Sequence, residues 1–131
     1  MFQVISGESI TRYGVHWKGG SYIKYGDWLG AKRQPKFFLK PRIIVRQIIS
    51  GKPGRIYAGY TDKELYNTQI AFNILVKDSF VKEIKPKYLL AILNSKVMNY
   101  YHREKFLDPT KVLFQKILIV NAKKITDKVC K

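Results

Sequence analysis

The sequence predicts an α+β domain, in which a twisted, mainly antiparallel sheet packs against a C-terminal pair of helices. Three observations point there. Short β-branched apolar runs fill the middle of the chain, most clearly Ile43, Ile44, Val45, Ile48 and Ile49. Turn residues punctuate them: Gly7, Gly14, Gly19, Gly20, Gly26 and Gly30 in the first third, then "SGKPGR" at 50–55. From Pro86 onward the spacing becomes helical, with Leu89, Leu90, Ile92, Leu93 and Val97 recurring on one face.

In chain order, "SYIKYGDW" sets Tyr22 and Lys24 against Ile23 and Tyr25, a strand over 21–25 closed by Gly26-Asp27. "GAKRQPKFF" is a loop, because Pro35 biases Gln34 toward an extended conformation and Lys32, Arg33 and Gln34 form a polar projection. A strand follows over 42–49, the glycine- and proline-containing turn, and "RIYAGY" as the return strand of a hairpin over 55–60. "LYNTQIAFNILVK" alternates imperfectly and predicts another strand over 66–76. Pro86 suits a first helical turn. Asn94-Ser95 interrupts the helical pattern, since both residues disfavour helix interiors and Ser caps helix starts well. The 86–105 region therefore reads as two helices, or one kinked helix, joined near Ser95 and burying Leu89, Leu90, Leu93 and Val97. "LDPTK" ends the helical part, and "VLFQKILIV" supplies a last apolar strand or extended segment. The whole of 1–131 reads as one domain.

Lys and Arg number 25 against nine Asp and Glu, a formal net charge of +16. Most cations therefore have no carboxylate to pair with, and the surface carries a positive field suited to nucleic acid, an anionic membrane or an acidic protein. A hydrophobic content of 46% separates the chain from a disordered basic tail. No stretch approaches the roughly 18 apolar residues that span a bilayer, and "MFQVISGESITRY" lacks the pattern of a signal peptide, so a soluble cytoplasmic protein is expected. Cys130 stands alone, which argues against an internal disulfide or a thiolate metal cluster. His16 and His102 have no metal-ligand spacing and read as surface or packing residues, so no metal site is expected.

Arg46 and Gln47 are the anomaly of the apolar strand. In strand geometry Arg46 shares a face with Ile44 and Ile48, and Gln47 with Val45 and Ile49. An unpaired guanidinium is costly to bury, so either a carboxylate such as Glu64 or Asp62 answers Arg46, or the strand end reaches water or a polyanion.

The order "GESITRY", "YIKY", "FFLKPRIIVRQ", a hairpin, "LYNTQIAF" and "YLLAILNSKVMNYYHR" resembles the TaqI-like C-terminal specificity domain over roughly residues 6–120. The most specific elements are the "PRIIVRQ" strand and the "YLLAILNSK" helix with "YY" following. Such domains are the target-recognition parts of DNA adenine methyltransferases and of fused restriction-modification enzymes, and are related in architecture to type I specificity subunits. The resemblance implies a target-recognition-domain-like fold. It also implies a module that binds double-stranded DNA and selects a short sequence for a separate methyltransferase domain, with or without an attached endonuclease, on the same or a partner chain. S-adenosylmethionine is then expected in that catalytic domain and no cofactor in this chain. The residues agree about catalysis: there is no glycine-rich cofactor loop and no Asn-Pro-Pro-Tyr motif, the prolines standing isolated at 35, 41, 53, 86 and 109. "DKE" and "VKEIK" read as solvated charges rather than a nuclease motif. No catalytic residue is assigned, and the 131 residues read as a fragment of a longer enzyme.

Base readout needs paired donors or acceptors, chiefly arginine for guanine and asparagine or glutamine for adenine. Arg12, Tyr13, Lys18, Lys32, Arg33, Gln34, Lys52 and Arg55 fall at turns, where loops on a rigid scaffold can reach a groove. The resemblance adds Arg46 and Gln47, by placing their strand in the recognition sheet. Lys87 and Lys96, on a helix, suit phosphates. Two other classes stay open. A basic RNA-binding domain could stack bases on Tyr13, Tyr25 or Tyr60, although no Lys-Gly-Phe-Gly-Phe-type strand is present, and a protein-interaction module could use exposed tyrosines.

Overall fold

The computed structural model describes residues 1–49, 54–79, 82 and 84–107. The strands are β1 (Phe2–Gln3), β2 (Tyr13–Gly14), β3 (Tyr22–Ile23), β4 (Arg42–Arg46), β5 (Ala58–Thr61) and β6 (Ala71–Ile74). The helices are α1 (Lys36–Leu39), α2 (Pro86–Asn94) and α3 (Lys96–Phe106), and a 3-10 turn covers Gly7–Ser9. The main sheet has the order β2-β5-β4-β6, antiparallel except for the parallel β2–β5 pair. This is the α+β architecture that the sequence predicts.

Strand β4 lies at the centre with both faces covered. Ile43 and Val45 pack with Phe72, Leu89, Leu90 and Leu93 on the helical side. Ile44 packs with Ile5, Ile10, Leu65 and Ala71 on the other. The N-terminal segments, the sheet and the helices thus form three layers, and a strand buried on both faces needs a continuous apolar run rather than alternation. At the sheet edge, a Cβ on Gly59 would overlap the carbonyl oxygen of Gly14, so glycine there permits the close β2–β5 approach.

The helical region breaks at Ser95, which ends α2 and caps α3 by accepting a hydrogen bond from the Met98 amide. The polar residues around the break clamp the return arm of the hairpin. The Asn94 side chain donates to the carbonyls of Ala58 (2.8 Å) and Leu90 and accepts from the Ala58 amide, while Asn99 Oδ1 accepts from the Ile56 amide (2.6 Å).

Several expectations need correction. Val97 is 79% exposed, because the break at Ser95 resets the helical phase and Val97 no longer follows Leu93 on one face. The 21–25 segment contributes only Tyr22–Ile23, which pairs with β1 in a separate two-stranded sheet rather than joining the main one. Within the segment read as a loop, residues 36–39 form one helical turn. The three central strands are shorter than predicted, and 66–70 approaches β6 through a turn at 69–70. Lys52, Cys130 and "VLFQKILIV" lie outside the described residues.

His102, on α3, is buried and leans on Phe106, and its Nε2 has no hydrogen-bond partner among the described residues. Burial holds its pKa below the ordinary imidazole value. The unfolded chain therefore binds this proton more tightly than the folded one, and stability falls as the pH drops through the unfolded value near 6.5. His102→Phe is expected to flatten the stability–pH curve between about pH 7 and 5. Urea melts at a series of pH values check it, and an unchanged acid limb would contradict the assignment.

Candidate nucleic-acid interface

Two ion pairs are present among the described residues, Lys32–Asp27 and Lys40–Asp78, both solvent-facing. Six of the described cations, Lys32 included, rest on rings, while Arg42 is held by backbone carbonyls. Arg12, Lys24, Lys32, Lys36, Arg46 and Lys87 lie 5.3–5.9 Å from aromatic centroids. Ring faces restrain these side chains without neutralising them, so apart from Lys32, which pairs with Asp27, their charge stays available to an anion.

Residues 11–14 form a tight turn between the bridged Ile10 and Val15, closed by Thr11 bonds to the Gly14 carbonyl. Tyr13 at its tip has φ +72°, the left-handed region that a bulky residue adopts only when its surroundings force it, and is 49% exposed. Beside it, Arg12 lies over the Tyr13 ring and donates through Nη2 to the Asn94 carbonyl (3.1 Å) at the C-terminal end of α2. One of its five N–H groups is thereby committed and the planar fork is oriented. Arg12 and Tyr13 thus form one preset pair.

Residues 24–35 form a second projection. Lys24 lies over Trp28, which is 64% exposed. Lys32 pairs with Asp27, holding that carboxyl below its usual range, and lies over Tyr25. The Tyr25 hydroxyl donates to the Arg33 carbonyl, and the Phe37 amide to the Gln34 carbonyl (3.0 Å), so the backbone is fixed on either side of the Arg33–Gln34 pair. Gln34 is exposed, while half-buried Arg33 lines a cleft of about 550 Å³ with Tyr25, Phe38, Tyr66 and Gln69. The structure thus brings Lys32, Arg33 and Gln34 together.

The remaining residues are dispersed. Lys18 is exposed beside Gly19 and Gly20, both at positive φ. Arg46 is half-buried over Tyr57 (5.5 Å) and against Gly7 of the 3-10 turn. No carboxylate answers it among the described residues, and Glu64 accepts from the Tyr66 hydroxyl instead. The Gln47 amide donates to the Ile70 carbonyl, and Arg55 is half-buried. Sequence reasoning missed Trp28, whose position in "GDWLG", between glycines, is the signal of a ring on a loop. It also missed that the deeply buried arginine of β4 is Arg42. Among the described residues no three histidine, cysteine, aspartate or glutamate side chains converge as metal ligands would, and no helix is long and apolar enough to cross a membrane.

No curated protein matches the chain. Residues 2–125 match the TaqI-like C-terminal specificity domain, a span that includes the Arg12–Tyr13 turn, the 24–35 projection, the whole sheet and both C-terminal helices. The chain therefore belongs to the TaqI-like C-terminal specificity domain family, the specificity domains of restriction-modification enzymes.

Proposed function

We propose that this domain reads a short base sequence in double-stranded DNA and directs a methyltransferase domain, on the same or a partner chain, to that site in the cytoplasm. One observation carries the reading within the family: the structure presets Arg12–Tyr13 and Arg33–Gln34 on turns whose backbones are tied down, in a chain whose cations outnumber its acids 25 to nine. The oriented Arg12 fork and the fixed backbone under Arg33 and Gln34 reduce the entropy lost on meeting base edges, and the surplus charge supplies the sequence-independent part of the affinity. S-adenosylmethionine belongs to the catalytic domain in this reading, and no residue here is assigned to it.

The isolated chain is expected to bind duplex DNA weakly, with Kd on the order of micromolar or above at physiological salt, and with a steep negative slope of log affinity against log salt. Fluorescence anisotropy at several salt concentrations measures both. A flat salt dependence, or displacement of the duplex by RNA in a mixed-competitor gel shift, would reject the proposal. The chain alone should transfer no methyl group from S-adenosylmethionine.

A further inference from the structure

A second cleft, of about 600 Å³, is lined by Lys36, Phe37, Lys40, Tyr60, Lys77 and Asp78, with Pro86 at its border. It brings together α1, β5, the segment after β6 and the start of α2. We propose that this cleft holds the sugar-phosphate backbone of the same duplex, to one side of the bases being read; the inference rests on the DNA-reading function above.

The charge of the cleft is one-sided. Lys36, Lys40 and Lys77 line it, and Lys87 lies over the Tyr60 ring (5.9 Å) at its wall. Asp78 is the one acid in the lining among the described residues, and its contact with Lys40 is long (3.9 Å) and solvent-facing on both sides. Such a pair is weak and readily exchanged for a phosphate. Lys36 is restrained over Phe37 (5.3 Å), again without losing charge. Lysines of this kind act as point charges on phosphate and carry no base information.

The position of the cleft ties it to the turn. Strand β2 pairs with β5 so that Tyr13 lies opposite Gly59 and Gly14 opposite Tyr60. Arg12 is bonded at the C-terminal end of α2, and Pro86, the first residue of α2, borders the cleft. Nine helical residues at 1.5 Å each separate these points by about 13 Å, roughly four base-pair steps of 3.4 Å along a duplex axis. A single strand can therefore run from the Arg12–Tyr13 turn past Lys87 to Lys36, Lys40 and Lys77.

The test is a salt titration of the full chain with a mixed-sequence duplex. Lys36→Ala/Lys77→Ala is compared with Lys63→Ala/Lys105→Ala, a control of equal charge at exposed positions outside the cleft lining. Each lost phosphate contact is worth about 0.9 in the slope of log affinity against log salt, so the cleft variant should flatten the slope by about 2 and the control by less than half of that. Asp78→Asn should tighten binding several-fold at low salt, a gain that damage to the fold cannot mimic and that keeps the proposal testable if the double variant melts early. Equal slopes for the cleft and control variants, or no gain from Asp78→Asn, would overturn the cleft while leaving the reading loops intact. A wild-type chain with no salt-dependent binding would overturn both.

Discussion

Arg42→Ala is expected to lower the unfolding free energy by about 3–5 kcal/mol, since it opens a void and also strips three carbonyls, that of Leu65 in a buried hydrogen bond, of their donor. Arg42 is only 1% exposed, at the start of the central strand. Its Nη1 donates to the carbonyls of Lys40 (3.0 Å) and Lys63 (3.1 Å), and its Nη2 to that of Leu65. One side chain thus fastens the entry to β4 to the segment leaving β5. Burial pushes its pKa down to about 10. Because the folded value lies below the unfolded one, the charge itself opposes folding at neutral pH and that penalty fades only above about pH 10. The stabilisation therefore comes from the fork of donors and from packing. Arg42→Lys, which keeps the charge and loses the fork, should forfeit much of it as well. Urea denaturation of both variants at neutral pH measures the loss, and an Arg42→Ala value within about 1 kcal/mol of wild type would contradict this role.

The sequence made the architecture legible where the physics is local. Proline at the first turn and Asn94-Ser95 at the break define the two helices, because capping and propensity act over three or four residues. The β-branched run located β4 for the same reason. Long-range consequences were hidden. Val97 looked like core because its spacing continued that of Leu93, and only the changed phase after Ser95 turns it outward. The burial of Arg42 was not legible, since its acceptors are backbone carbonyls, which every residue has and no sequence pattern marks. The same applies to the lysine cleft, whose members come from residues 36, 40 and 77 and meet only in the fold. The candidate reading pairs were visible as turn residues. Their fixation was not, because it depends on the Asn94 carbonyl for Arg12 and on the Tyr25 hydroxyl for Arg33.

On the proposed function, Arg33→Ala and Gln34→Ala, made in the enzyme that carries this domain, are expected to change which sequence is modified. Each lost bidentate contact is worth roughly 1–3 kcal/mol of discrimination, about fivefold to more than a hundredfold between matched and mismatched sites. The carbonyls of both residues accept hydrogen bonds from within the loop region, so their side chains extend from a fixed backbone. Lys87, over Tyr60 on the helix, should behave differently: Lys87→Ala is expected to weaken all sequences alike and to lower the salt slope by about 1. Lys96, exposed at the start of α3, should follow the same pattern.

The claim that the loop chooses the sequence while the helix holds the duplex is tested most directly by methylation mapping of the intact enzyme on a random-sequence plasmid pool, with wild type, Arg33→Ala, Gln34→Ala and Lys87→Ala in parallel. The account predicts a relaxed or altered motif for the two loop variants, and an unchanged motif at reduced overall modification for the lysine variant. An unchanged motif in both loop variants, together with a relaxed motif in Lys87→Ala, would place sequence reading on the helix and contradict the assignment.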